Sequence, residues 1–265
     1  MPAEPALGAN QRWASLLGAW AIPEGLIAAA PESPYFFDPQ VFIAAADEAI
    51  ARPDDSPSDR AACEALPQAG SVLDVGVGAG AASVRLRPAT IDGVDTNRVL
   101  LGAFVDRASR LGIEAVAIEG SWPAVAPDTP VVDVVVCHHV VYNAADLAAF
   151  VAALRRHARR RVVVELTAVH PMAWMAPYWQ ALHGIDQPDR PNAADAVAVL
   201  EELGIEPHQQ RWVRNCQMIG ESGEDALARI ARRLCLPSDR HPELRELLVM
   251  TPPPTGRDVV TVWWD

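Results

Sequence analysis

The sequence predicts an α/β protein: a doubly wound, mostly parallel, Rossmann-like sheet of seven strands, preceded by a helical N-terminal lobe. Three observations predict it. From Ser71 onward, short β-branched runs alternate with alanine-rich stretches, the texture of strands covered on both faces by crossover helices. The first run passes directly into three glycines at alternate positions, Gly76, Gly78 and Gly80. The chain has 265 residues, of which 50% are hydrophobic and 21% charged, enough to bury one large core.

The elements follow in order. Residues 1–68 carry apolar residues at helical spacing, Trp13, Leu16, Leu17 and Trp20, then Val41, Phe42, Ala45 and Ala49, broken by Pro23, Pro31, Pro34 and Pro39. They read as a helical lobe or lid. Arg52 to Arg60, rich in proline, serine and aspartate, reads as an exposed connector into a main domain over residues 69–265. There the strand runs are SVLDV, TIDGVD, EAVAI, VVDVVVC, RVVVEL, RWVRNCQM and DVVTVWW. Asn97 to Leu111, Ala144 to His157, Ala193 to Leu203 and Glu224 to Leu234 read as helices. The stretch 167–191 is too long for a strand-to-helix turn and reads as an insertion, with a second near 221–250.

Composition excludes several functions. A formal net charge of -12 opposes a polyanion, which argues against nucleic-acid binding. No apolar run reaches the roughly 18 residues of a membrane span, and the first residues lack the order of a signal peptide, so a cytoplasmic location is expected. All 22 basic residues are arginines, which removes any lysine Schiff-base chemistry. Cys63, Cys137, Cys216 and Cys235 lie far apart with no paired spacing, so they read as reduced thiols. A small molecule is the expected partner.

Asp74 precedes the glycines, and Asp95 ends the next strand run 21 residues later. A carboxylate at the start of the loop suits a cationic amino group, and a second at the next strand's end suits a diol. The pair fits a nucleoside carrying an amino acid, whereas Asp74 would repel a pyrophosphate. Here the chain resembles the class I S-adenosylmethionine-dependent methyltransferases, whose first motif, acid-x-Gly-x-Gly-x-Gly, is met from Asp74 to Gly80. The resemblance implies S-adenosylmethionine as cofactor, with Asp74, Gly76, Val77, Gly78 and Gly80 around its amino-acid tail. It further implies Asp95 and Thr96 at the ribose, Gly120, Ser121 and Trp122 near the adenine, and Cys137 at the end of the fourth strand. Ser121 replaces the aspartate usual in the family. The strand-end tetrad Asn-Pro-Pro-Tyr of base-methylating relatives is absent, His138-His139-Val140-Val141-Tyr142-Asn143 standing there instead. The implied reaction is methyl transfer to oxygen or nitrogen of a small molecule.

Four residues are candidates for the chemistry. His138 and His139 lie at a strand's C-terminal end, where open α/β sheets bind ligands, and either imidazole can serve as general base. Glu165 ends the next strand as an anchor or proton acceptor, with His170 shortly after. Their spacing fits no compact metal signature, and no metal is expected. Tyr35, Phe36 and Phe37 form an aromatic cluster that is either a lid or the lobe's core. The run Arg155 to Arg161 reads as a solvated helix end. A nicotinamide-dependent oxidoreductase is the alternative enzyme, and a cofactor-binding regulator without chemistry the alternative outside enzymes.

Overall fold

The structure, a computed structural model, describes residues 7–51, 56–215 and 223–265. Seven strands form one sheet: β1 (Ser71–Val75), β2 (Thr90–Asp95), β3 (Glu114–Glu119), β4 (Val132–His138), β5 (Ala158–Thr167), β6 (His208–Asn215) and β7 (Gly256–Trp264). Their order is β3-β2-β1-β4-β5-β7-β6. The first five are parallel, and β7 runs antiparallel between β5 and β6. The order reverses between β1 and β4, so a crevice opens at their C-terminal ends, the place where open parallel sheets bind ligands. The expected fold class is the observed one. β6 begins three residues before the expected run, and the end of that run, residues 216–218, lies outside the described residues.

The large core lies on one face of the sheet. There α6 (Leu147–His157) and α8 (Ala193–Glu202) cover Leu73, Val135, Val164 and Val262, and α1 (Ala9–Gly18) adds the fully buried Trp13, whose indole N–H donates to the Ala144 carbonyl at 2.8 Å. α5 (Arg98–Arg110) lies on β2 and β3, with Phe104 at its centre.

The opposite face differs from expectation. Asp74 and Asp95 are spaced for a strand-helix-strand unit, yet only a 3₁₀ turn, Val84–Leu86, separates β1 from β2. The space is taken by α4 (Pro57–Ala65), whose Ala61 and Ala62 pack on Val72, Val134, Val136 and Val163. The segment read as an exposed connector therefore contains a buried helix start. Ser56 caps α4 reciprocally with Asp59, Pro57 occupies the first turn, and Ser56, Ser58 and Asp59 are all buried. Asp59 also pairs with Arg85 of the 3₁₀ turn.

The remaining N-terminal helices do not gather into a lobe of their own. α3 (Pro39–Ala51) packs on α5, where Asp47 pairs with Arg107 at 2.7 Å and Ala46 meets Ala79 and Leu100. Leu26 of α2 (Glu24–Ala29), with the flanking Ile22 and Ala30, joins a second apolar core made by α7 (Ala176–His183), α9 (Glu224–Arg233) and α10 (His241–Met250). The two expected insertions thus meet each other and form this core together, closed by the Tyr178 hydroxyl on the Thr251 carbonyl.

Candidate active site

The glycine loop is shaped by close approach. Gly76, Gly78 and Gly80 all have positive φ, +77°, +51° and +88°. A Cβ on Gly76 would fall 2.2 Å from Val140 Cγ2, and one on Gly80 2.8 Å from Val84, whereas Gly78 faces open space. The outer glycines let the loop press against the protein, and the middle one leaves its backbone open to a ligand. The N–H groups of Gly76 and Val77 donate to the Val94 carbonyl at 2.8 and 3.0 Å, which draws the loop across the end of β2. Val77's side chain is buried, so only its backbone lies at the loop surface.

Asp95 holds this turn. One carboxylate oxygen accepts the Gly78 N–H and the other the Asn97 N–H, both at 2.9 Å. A carboxylate offers about four lone-pair sites, so two remain for hydroxyls of a ligand. Thr96 is exposed beside it. Asp74 is 1% exposed, and neither of its oxygens meets a hydrogen-bond partner among the described residues. Burial pushes its pKa up to about 7, with nearby Ser83 opposing and Asp95 adding to the rise. A buried carboxyl without a donor fits an ammonium group supplied by a ligand.

Two cofactor residues implied by the resemblance are turned away. Trp122 is buried, its indole N–H bonded to the Phe150 carbonyl at 3.2 Å and its ring edge-on to His157 at 5.1 Å, so it belongs to the core and presents no face to a base. Cys137 is fully buried among core residues, and burial raises its thiol pKa, followed by the charge of Asp74. Ser121 is exposed at the end of β3, and Gly120 beside it approaches Val125 too closely for any Cβ.

On the face under α4, strand alternation lines up a polar row: Asp74 on β1, His138 on β4, Glu165 on β5 and Thr261 on β7, with His138 opposite Glu165 and Glu165 opposite Thr261. Glu165 is completely buried and is the hub. Its Oε2 accepts the Ser58 hydroxyl at 2.6 Å, and its Oε1 accepts His139 Nε2 at 2.9 Å and the Arg214 guanidinium. His138 Nδ1 lies 3.9 Å from Oε2. Burial, the largest influence, favours the neutral acid, but His138, the hydrogen bond from His139 and Arg214 together outweigh it and hold the carboxyl well below its usual range. Glu165 is therefore held ionised by three donors in a fully buried position, where it orients its partners and is closed to a substrate.

The supporting bonds run one way. Trp212 Nε1–H donates to Thr261 Oγ1 at 3.0 Å, and the Ser58 and Thr261 hydroxyl oxygens lie 2.7 Å apart. Because the Ser58 proton goes to Glu165, the Thr261 proton must go to Ser58. Ser58, Thr261 and Arg214 carried no signal in the sequence. Arg214 was one cation on an expected strand, and Ser58 lay in a polar stretch that looks like a loop.

The two histidines differ in environment. His138 is deeply placed, and burial carries its pKa down to about 4 despite Glu165, so its imidazole is neutral and weakly basic. His139 follows the strand with φ +61°, a strained value for a residue with a Cβ, while its N–H donates to the Glu165 carbonyl at 2.7 Å. This turn brings the side chain back to Glu165 and leaves it 35% exposed. Since the ionised carboxylate only accepts, Nε2 carries a hydrogen, and in the neutral imidazole the lone pair is then at Nδ1.

His170 is not part of this cluster. It stacks on Trp20 at 3.8 Å, meets Tyr142 edge-on at 5.3 Å, accepts the Met172 N–H, and burial lowers its pKa to about 4. Its place is between α1 and the insertion, an aromatic packing role. Tyr35, Phe36 and Phe37 are each about half exposed, so they are not the core of an N-terminal lobe, and Arg232 and Arg233 lie over Phe36 and Phe37. Of the basic run, Arg161 pairs with Asp265 and Glu64, and Arg160 with Asp133. Among the described residues no three His, Cys, Asp or Glu side chains gather to hold a metal, and no helix is long and apolar enough to cross a membrane.

The chain's relationships agree with this geometry. No curated protein sequence matches it. The fold is similar to a methyltransferase of Thiobacillus denitrificans in complex with S-adenosylhomocysteine, at 17% identity over 85% of this chain and 98% of that one, with a TM-score of 0.52. It is similar also to a methyltransferase of Geobacter sulfurreducens in the same kind of complex, at 14% identity over 84% and 97% with a TM-score of 0.52. A third, the YcgJ protein of Bacillus subtilis, shows 16% identity over 78% and 96%, again at 0.52. Residues 72–161, from the first strand through the glycine loop to the start of β5, match the family described as methyltransferase domain.

Proposed function

We propose that the protein transfers the methyl group of S-adenosylmethionine to an oxygen or nitrogen of a small molecule, with His139 as general base. The observation that carries this reading is the contact between Gly76 and Val140, which sets the glycine loop directly against the residue after His139. A ligand on the loop and a base beyond β4 are thereby neighbours. When bound, the cofactor supplies an electrophilic methyl on a sulfonium sulfur that departs as a neutral thioether. Asp74 would hold its ammonium, the Gly78 backbone would lie under its amino-acid tail, and Asp95 would accept from its ribose hydroxyls.

His139 takes the acceptor's proton at Nδ1 as the acceptor's lone pair forms the new bond to carbon. Glu165 is a positioning residue: it fixes the tautomer through Nε2 and stabilises the imidazolium that results. His138, neutral and buried beneath, shapes the floor of the crevice. Calorimetry with S-adenosylhomocysteine tests the reading: one site per chain is expected, with no heat from NADH. Saturable NADH binding without S-adenosylhomocysteine binding overturns it.

A further inference from the structure

Of the nine unpartnered buried polar atoms among the described residues, five lie at the crevice, the others being on Trp174, Arg232, Arg233 and Trp264. The five are Asp74 Oδ1 and Oδ2, Ser83 Oγ, His138 Nε2 and Arg214 Nε. They belong to the ends of β1, β4 and β6 and the turn after the glycine loop, and Glu165 ties β4 to β6 between them. Native proteins rarely leave buried polar groups unpaired, and a cluster of them marks where a ligand supplies the partners. Asp74 and Ser83 lie on the cofactor side. His138 and Arg214 lie on the other.

Arg214 defines the chemistry that is missing. A guanidinium offers five N–H donors and accepts nothing. Glu165 takes one donor of Arg214, and the Trp212 ring lies 5.3 Å from its central carbon. Its Nε–H, next to that ring and buried, has no acceptor. The planar fork of arginine is matched by two oxygens on one carbon better than by a lone carbonyl. His139 Nε2 and the Arg214 terminal nitrogen also converge on the same oxygen, Glu165 Oε1. The base and the unused donors are therefore side by side.

From this geometry we infer that Arg214 anchors a carboxylate of the methyl acceptor, which is a small organic acid carrying a hydroxyl or amine next to its carboxylate. The inference rests on the methyl-transfer reading above and names the acceptor's class. The acid's oxygens meet Arg214 while the neighbouring hydroxyl or amine meets His139 Nδ1. Glu165 serves both partners, holding the guanidinium and the imidazole at one spacing and so fixing the distance between the recognised group and the methylated one.

The full chain, with and without bound S-adenosylhomocysteine, is titrated calorimetrically with 2-hydroxybenzoate, glycolate and the primary amide of each. Each acid is expected to bind at least tenfold tighter than its amide, and Arg214→Gln is expected to remove that preference. Arg214→Lys, which keeps a charge beside Glu165 if the glutamine variant fails to fold, should reduce the preference without abolishing it. Equal binding of acid and amide, an unchanged preference in either variant, or no binding of any acid overturns the inference. Failure of S-adenosylhomocysteine to bind overturns the methyl-transfer reading instead, and the acid-against-amide preference is still read in the cofactor-free protein.

Discussion

The two halves of the crevice are made differently. Around β1 and β2 the protein works with backbone: three glycines at positive φ, a loop bonded to a strand carbonyl, and one aspartate bracing the turn. Beyond β4 it works with side chains, as Ser58, His139 and Arg214 from separate segments converge on the buried Glu165 carboxylate, with Thr261 behind Ser58. Backbone sites of this kind tolerate little change, because their geometry depends on absent side chains. Side-chain sites can be rewritten one residue at a time, which is where differences in acceptor belong.

The sharpest way to separate the halves is to remove the base. His139→Ala is expected to lower kcat by about 10²- to 10⁴-fold while S-adenosylhomocysteine still binds, measured by turnover once an acceptor is found and by calorimetry before that. Full activity in this variant would place the base elsewhere.

On the cofactor side, Asp95→Ala removes the acceptor of the Gly78 N–H as well as the bonds expected from the ribose. Charge-assisted bonds of this kind contribute about 1.5–3 kcal/mol each, so S-adenosylhomocysteine affinity should fall at least about tenfold. Unchanged affinity in a folded variant would show that the turn holds without it.

The pH dependence should differ between the halves too. The Asp74 carboxyl, raised to about 7 by burial, must lose its proton to receive an ammonium. Cofactor affinity should therefore fall toward tenfold per pH unit as pH drops below about 7, with proton release visible in buffers of different ionisation enthalpy. Because the folded pKa lies above the unfolded one, stability from neutral Asp74 is present in full below pH 4 and is lost as pH rises through 7. Asp74→Asn should accordingly raise the Tm of the cofactor-free protein at pH 8.

The smallest effect is expected at Ser58. Ser58→Ala removes one donor to Glu165 and leaves the Thr261 hydroxyl proton without its acceptor, a loss of about 1–3 kcal/mol in stability measured by denaturant unfolding. Histidine NMR in the same variant should still find His139 protonated at Nε2, since Arg214 keeps the carboxylate charged.

These contrasts also decide what was legible in the sequence. The strands β1, β2, β4, β5 and β7 were legible, because buried strands are apolar and their β-branched runs stand out, whereas the edge strand β6 opens on the polar residues His208 to Gln210, which the expected run left out. The glycine loop was legible for a similar reason: its chemistry lies in consecutive residues. α4 was missed because its first turn is polar, and only the structure shows that Ser58 and Asp59 are polar for the sake of buried partners. Trp122 was misplaced because no residue in its neighbourhood tells which way the ring turns. His139 and Glu165 stood out as polar strand ends, whereas Arg214 acquires meaning only when an antiparallel β7 brings β6 near β5.

The polar chain through Ser58 has a consequence for how the molecule folds. The bond between Gly78 and Asp95 joins residues 17 apart, while Ser58 meets Glu165 across 107 residues and Thr261 across 203. Contacts of low sequence separation close with little loop entropy, and distant ones wait for the intervening chain to be ordered. The turn braced by Asp95 can therefore close early, whereas the network around Glu165 waits for α4, β5 and β7 to be ordered together.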